Sequence, residues 1–223
     1  MSYGEFTLSQ LESEFGLLLR ERVEIFPDIK PITPSPLLRE ILEENIPLAL
    51  EIDTEKARSE LIIAPIMVDL RKHFNRQISF FSGIDFSVDK SKGLAGRCDF
   101  LISYSPKQLE VTAPVVALVE AKNDNIKSGI AQCIAEMVAA QVFNERRENQ
   151  IPCIYGAITT GSNWKFLRLV EKRVDIEAGE HFIGDLDELF GILSDIIETT
   201  HPRGKKWPTA VERADQTRRN NSE

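Results

Sequence analysis

The sequence predicts an α/β protein with a central mixed sheet flanked by helices. Hydrophobic residues between positions 7 and 74, and again after Asp185, recur with the spacing of amphipathic helices. From Ile78 the period changes to that of strands, and residues 115–119 (Val-Val-Ala-Leu-Val) form an unbroken apolar run. Such a run is typical of a central strand buried on both faces. The predicted order α-β-β-β-α-β-β-α is that of a mixed α/β domain.

The first 53 residues are predicted to form a helical extension with a proline-rich linker. Capping-box spacing at Thr7 starts a helix that we expect to reach Phe26. Four prolines between residues 27 and 36 predict an extended segment without a regular element. The pair Ser35-Pro36 suits the N-cap and first position of a short helix that ends near Pro47.

The core domain is predicted to span residues 54–200. It begins with a helix from Thr54 to about Phe74, which Pro65 should kink or split. Strands, helices and a hairpin with a tight Gly-Ser-Asn turn follow. Their predicted bounds are 78–88, 96–104 and 114–121 for three strands, 126–144 for a long apolar helix, 153–160 and 164–170 for the hairpin, and 185 onward for the last helix.

Composition and charge narrow the classes of protein. The chain has 223 residues, 42% of them hydrophobic, and a net charge of −8 at pH 7, which disfavours non-specific coating of nucleic acid. Residues 201–223 form a basic tail that we expect to be flexible. No apolar stretch is long enough to span a membrane, and the N-terminus has no secretory-signal pattern. Three widely spaced cysteines indicate neither a disulfide framework nor a cysteine zinc site, so we expect a cytoplasmic protein.

The most informative motif is Val119-Glu120-Ala121-Lys122, at the end of the apolar strand. Side chains two residues apart in a strand share a face, so Glu120 and Lys122 should emerge together. Because burying a charge without a partner costs several kcal/mol, charged residues in such a place usually have a structural or functional reason to be there. The alternative is a strand that ends in solvent with both side chains merely exposed.

Asp99 strengthens the functional interpretation. It lies between apolar residues just after a glycine turn, near the start of the strand 96–104. If this strand pairs antiparallel with 114–121, Asp99 comes close to Glu120 and Lys122. Oxygen ligands without His or Cys favour Mg²⁺ or Mn²⁺ over zinc. For Asp99 alone, a turn-capping role is the alternative.

Two helices carry further polar candidates. Gln132 and Glu136 are four residues apart on the apolar helix and share a face. This stripe either points into a site or forms the solvated face of the helix. Glu60 lies at the edge of the apolar patch of the helix 54–74, and there the alternative is an ordinary solvated glutamate.

Asp99, then Glu120-x-Lys122, then a helix that carries Gln132 together resemble the PD-(D/E)XK nuclease superfamily. The resemblance covers roughly residues 55–170 and implies a restriction-endonuclease-like core of order α-β-β-β-α-β. Cys98 stands where the family name has proline. Residues 159–165 lie outside the motif, which assigns them no chemistry.

The resemblance implies a role for each matching residue. Asp99 and Glu120 correspond to the two acids that ligate a metal, with the main-chain carbonyl of Ala121 as a further ligand. Lys122 corresponds to the lysine that orients or deprotonates the attacking water and stabilises the pentacovalent phosphorus.

Two helical residues also match. Glu60 corresponds to the acid that many members carry on the first core helix, a further catalytic and metal-ligating position, and Gln132 to a glutamine on the helix after the motif strand. The implied cofactor is Mg²⁺ or Mn²⁺, and the implied partner is DNA, without a membrane or a small-molecule cofactor; a homodimer is compatible with this. The basic segments 71–76 and 203–219 are either DNA contacts or solvated surface.

The leading hypothesis is therefore a Mg²⁺-dependent DNA nuclease, acting in defence or repair. The alternatives are a catalytically inactive or regulatory module of the same fold that binds nucleic acid or protein, and an interaction protein that docks through its N-terminal helix and proline-rich segment. Other enzyme classes have little support, because the sequence has no phosphate-binding glycine motif and no nucleophile elbow, and its three histidines lack metal-ligand spacing.

Overall fold

The computed structural model describes residues 2–149 and 151–201. Its helices are α1 Leu8–Phe15, α2 Pro36–Ile52, α3 Glu55–Arg58, α4 Ala64–His73, α5 Ile130–Glu145 and α6 Leu186–Thr199. Its strands are β1 Leu18–Val23, β2 Ser79–Asp85, β3 Arg97–Ser103, β4 Val115–Ala121, β5 Ile154–Thr159, β6 Asn163–Val170, β7 Arg173–Glu177 and β8 His181–Phe182. A π-helical turn, Ser59–Ile63, joins α3 to α4, and a 3₁₀ turn, Ile126–Gly129, leads into α5.

All eight strands belong to one mixed sheet, which confirms the predicted α/β class. The strand order is β1-β7-β6-β5-β4-β3-β2, and β8 pairs with β6. The pairs β1/β7 and β4/β5 are parallel, and the others are antiparallel. Because β4 and β5 are parallel neighbours, their carboxyl ends meet at one edge of the sheet, where ligands commonly bind in open α/β sheets.

Each face of the sheet has its own hydrophobic core. Helices α2, α4 and α6 cover one face, where Phe100, Ala117, Val119 and Phe166 are buried. Helix α5 covers the other face, where Leu101, Leu118, Ile158 and Leu167 are buried. All seven residues of β4 are buried, as the apolar run predicts for a central strand.

The prediction of one helix from Thr7 to Phe26 is wrong for the residues beyond Phe15. Its capping box at Thr7 is present, but Gly16 adopts a left-handed conformation (φ 66°) and ends the helix. Leu18–Val23 then forms β1, an edge strand parallel to β7. The spacing of Leu18 and Leu19 fits both a helix and a strand, and the pairing with β7 decides between them, because unpaired backbone groups are costly. The N-terminal segment thus contributes to the central sheet.

The two helical prolines behave differently. Helix α2 was predicted to end near Pro47 but continues to Ile52. Proline costs an interior helix one hydrogen bond, and the buried side chains of Leu42 and Ala49, on either side of it, keep both turns in place. Pro65, predicted to kink or split its helix, lies in the first turn of α4, and the helical backbone runs without a gap from α3 through the π-helical turn Ser59–Ile63 into α4.

Sequence patterns missed the two short strands β7 and β8, which are too brief for period-2 alternation to stand out. The other predicted strands and helices are present, with ends that differ by a few residues. Apart from His201, the predicted basic tail lies outside the described residues. Within the described part of the chain, no helix is both long and apolar enough to cross a membrane.

Candidate active site

Strands β3 and β4 bring two carboxylates together. They pair antiparallel, as predicted, with Phe100 opposite Val119 and Leu101 opposite Leu118. One further step in this register sets Asp99 opposite Glu120, and residues directly opposite in an antiparallel pair are near neighbours. Asp99 Oδ2 accepts a hydrogen bond of 2.8 Å from the N–H of Ala121. The two acids therefore lie side by side at the carboxyl end of β4.

Lys122 joins this pair from the residue after β4. Its ammonium forms an ion pair with Glu120 Oε1. The side chain of Glu120 is only 2% exposed and that of Lys122 is 19% exposed, so water screens the contact weakly. The N–H of Lys122 donates to the carbonyl of Thr159 at 2.8 Å, which fixes the lysine between the ends of β4 and β5.

Gln132 and Glu136, which form the polar stripe of α5, face this group and not the solvent. Gln132 Oε1 lies 3.4 Å from Lys122 Nζ, and Gln132 Nε2 donates to Glu136 Oε1 at 3.2 Å. Glu136 is fully buried. A continuous chain of contacts thus runs from Glu136 through Gln132 and Lys122 to Glu120, and buried networks of this kind hold their members in one arrangement.

The group holds more negative than positive charge. Burial, and then the charge of Asp99, raise the pKa of Glu120 to about 7 despite its contact with Lys122. Burial raises the pKa of Asp99 as well, against the lowering effects of the Ala121 N–H and of Lys122. Burial lowers the pKa of Lys122, but the hydrogen bond and charge of Glu120 outweigh it, so this pKa is raised overall. Raised carboxyl pKa values of this kind are typical of sites that bind a cation or a proton.

Glu136 adds a third carboxyl. Burial, and then the charge of Glu120, raise its pKa well above the usual range. Within the described residues, Glu120 Oε2 and Glu136 Oε2 are buried and no donor reaches them. Two carboxylate oxygens bond to each other only through a proton that one of them retains. The neighbouring Glu120 carboxyl is among the causes that raise the pKa of Glu136.

The structure does not bring Glu60 into the group. Its side chain is 64% exposed and forms an ion pair of 3.5 Å with Lys56, one helical turn away. The acid of this helix that acts on the site is Glu55, in the first turn of α3, whose charge raises the pKa of both Glu120 and Lys122. Glu55 is itself exposed, so it acts on the group through its charge and not through a contact. The apolar pattern of the sequence did not single out Glu55.

The donor set fits a hard divalent cation. Among the described residues, no three or more His, Cys, Asp or Glu side chains form a ready-made metal cage. Mg²⁺ does not need one, because it commonly binds through one or two carboxylates together with water and substrate phosphate. Asp99 and Glu120 supply those carboxylates. The carbonyl of Ala121 points to the same side as its N–H, toward Asp99, and the unpartnered Glu120 Oε2 is an acceptor that a cation would satisfy.

The predicted basic segment at 71–76 lies at the other end of the sheet. It spans the last turn of α4 and the residues that follow it, before the start of β2, and Ser79 at that start pairs with Ser103. Ser103 in turn pairs with Val115, at the amino end of β4. The site is at the carboxyl end of β4, so these basic side chains do not border it.

Comparison of the sequence with known protein families finds no match, and comparisons with curated proteins and with solved structures find none either.

Proposed function

We propose that this protein is a Mg²⁺-dependent nuclease that hydrolyses phosphodiester bonds of DNA. The observation that carries the proposal is the position of Asp99 opposite Glu120, with Lys122 paired to Glu120 at the same strand end. A divalent cation held by two acids, together with a lysine, would be enough to stabilise the negative charge that grows on the phosphorus oxygens and on the leaving oxygen during phosphodiester hydrolysis. The order helix, three strands, helix, strand over residues 55–159 supports the resemblance to the PD-(D/E)XK superfamily.

Asp99, Glu120 and the carbonyl of Ala121 would hold the cation. When bound, a divalent ion neutralises charge on the phosphate and lowers the pKa of a bound water. It would also offset the excess of carboxylates in the group, and it gives an acidic protein a local attraction for DNA phosphate.

Lys122 supplies the fixed positive charge. Glu120 Oε1 and Gln132 Oε1 hold its ammonium between them, so the third N–H direction stays available to an attacking water or a phosphate oxygen. Gln132 in turn is oriented by Glu136. A preorganised donor of this kind needs no rearrangement during the reaction, which is the main source of electrostatic stabilisation of a transition state.

The proposal is tested by cleavage of supercoiled plasmid and of single-stranded DNA. The protein is assayed in Mg²⁺, in Mn²⁺ and in EDTA, beside an Asp99→Asn variant purified in the same way. We expect nicking that needs the metal and that falls at least about 100-fold in Asp99→Asn, the range for loss of one electrostatic group.

Two results would count against it. Equal cleavage by wild type and Asp99→Asn would assign the activity to a contaminant or another site. Binding of DNA without cleavage of any substrate in either metal would favour the alternative, a binding module of the same fold.

A further inference from the structure

A polar pocket opens beside the candidate active site, at the carboxyl ends of β4 and β5. Its volume is about 520 Å³, within the range of small-molecule sites. One wall is the loop that starts with Asn123, directly after Lys122, and the other is the turn from Thr160 to Asn163 between β5 and β6. Arg58, one turn after Glu55 on the same helix, lines it too.

The turn that forms the second wall is held rigidly. Gly161 N–H donates to Thr159 Oγ1 at 2.8 Å, and the indole N–H of Trp164 donates to the carbonyl of Gly161 at 3.2 Å. Arg58 Nη1 donates to the carbonyl of Thr160 at 3.0 Å and so ties the helix to this turn. A pocket that is already formed binds its ligand with little ordering cost.

The chemistry of the lining suits a nucleobase better than a bare phosphate. Its charges cancel, since Arg58 and Lys127 are matched by Asp124 and Glu180, whereas a phosphate groove is expected to be basic. The remaining polar side chains are amides and hydroxyls, the groups that pair with base edges; they are Asn123, Asn125, Thr160, Ser162 and Asn163.

Two details point to a ligand. Asn163 Nδ2 donates to Glu180 Oε2 at 3.1 Å, which holds that amide in one orientation. Asn123 Oδ1 is buried and, within the described residues, has no hydrogen-bond partner. A buried acceptor without a partner costs about 1–3 kcal/mol, and a ligand donor in the pocket would remove that cost.

We propose that this pocket receives the nucleotide next to the cleaved phosphate and recognises its base, with Asn163 as a specificity-determining residue. The proposal rests on the proposed function for the position of that phosphate at Lys122. It gives a role to residues 159–165, which the motif left without one. Phosphate contacts position a nucleic acid and base contacts specify it, so the pocket makes cleavage depend on the base beside the cut.

The test uses a reporter that does not depend on cleavage. Trp164 is buried, and its indole N–H is bonded to the pocket wall, so its cross-peak in a ¹⁵N-labelled protein senses a ligand there. The chain has two tryptophans, and a Trp207→Phe variant assigns the two peaks. The probes are the four deoxynucleoside 5′-monophosphates, with 2-deoxyribose 5-phosphate as the probe that lacks a base.

We expect saturable shifts of the Trp164 peak, with unequal affinity for the four nucleotides and none for the sugar phosphate at the same concentrations. Asn163→Ala should weaken the best nucleotide about 2- to 10-fold, the effect of one hydrogen bond. Asn149→Ala, near the amino end of β5, is the matched control and should leave the affinity unchanged.

Three results would overturn the proposal: no shift with any nucleotide, an equal shift with the sugar phosphate, or equal affinity in Asn163→Ala. These outcomes are separate from those of the cleavage assay. Cleavage without a Trp164 shift refutes the pocket and leaves the nuclease intact. A base-selective shift in a protein that cleaves nothing refutes the nuclease and leaves only base binding in the pocket, without the link to a cleaved phosphate.

Discussion

Replacing Glu136 by glutamine should stabilise the protein at neutral and alkaline pH. Glu136 is fully buried and its pKa is raised well above the usual range by burial and by the charge of Glu120. In the unfolded chain a glutamate loses its proton near pH 4.3. Above that pH the folded state still holds the proton, so the stability that this group contributes is complete at low pH and is lost as pH rises toward the folded-state pKa.

The size of the effect follows from the linkage. One extra proton bound in the folded state lowers the free energy of unfolding by about 1.4 kcal/mol for each pH unit between the unfolded-state pKa and the raised folded-state pKa. Glutamine has no proton to lose. It keeps the acceptor for Gln132 Nε2 and brings an N–H that can reach the unpartnered Glu120 Oε2. Any unsatisfied amide N–H would subtract about 1–3 kcal/mol from the gain.

The assay is urea unfolding followed by circular dichroism at pH 5, 6, 7 and 8, in EDTA. The difference in unfolding free energy between Glu136→Gln and wild type should grow with each pH step. Glu145→Gln, an exposed position on the same helix, is the control and should change stability by less than about 0.5 kcal/mol. A difference that stays constant from pH 5 to 8 would show that Glu136 is ionised in the folded protein and would refute the electrostatic account of the site.

Three further predictions concern the metal and the lysine. Mg²⁺ at 100 times its dissociation constant should raise the free energy of unfolding of the wild type by about 2.7 kcal/mol, and with it the melting temperature. Calorimetry should show no such rise for Asp99→Asn. Glu55→Gln should weaken Mg²⁺ binding up to about fivefold in titration calorimetry, as expected for the loss of an exposed charge. An unchanged affinity, or an equal loss in Glu60→Gln, would contradict the conclusion that Glu55 and not Glu60 acts on the site. A Cβ at Gly129 would lie 2.9 Å from Ile158 Cγ2 and 3.1 Å from Lys122 Cε, so Gly129→Ala should displace the lysine and lower the cleavage rate about 10- to 100-fold. It should cost about 1–3 kcal/mol of stability, and a full rate at reduced stability would refute the displacement.

Much of the fold could be predicted because its local signals are strong. The apolar run 115–119 identified β4, and the caps at Ser35, Thr54 and Asp185 are all present at the helix starts. What failed depended on distant partners. Leu18–Val23 is a strand because β7 lies beside it, and no local pattern reveals that neighbour.

In the candidate site, too, the pairing of neighbouring strands could be predicted and the placement of more distant elements could not. Asp99 and Glu120 could be brought together by reasoning, because antiparallel pairing of two adjacent strands fixes which residues are opposite. The sequence could not predict in this way which acid of the first core helix acts on the site. Which of Glu55 and Glu60 has its charge nearer the site depends on the rotation of the helix against the sheet, and a π-helical turn between residues 59 and 63 changes that rotation.

The role of Lys122 in hydrolysis is tested most directly by the rate of plasmid nicking in Mg²⁺, measured side by side for the wild type and Lys122→Met. Methionine keeps most of the length of the side chain and removes its charge. Lys172→Met is the matched control, because Lys172 is exposed and has no described contact with the site. We expect a loss of at least about 100-fold in Lys122→Met and an unchanged rate in Lys172→Met. Equal rates in wild type and Lys122→Met would contradict the claim that Asp99, Glu120 and Lys122 form one hydrolytic centre.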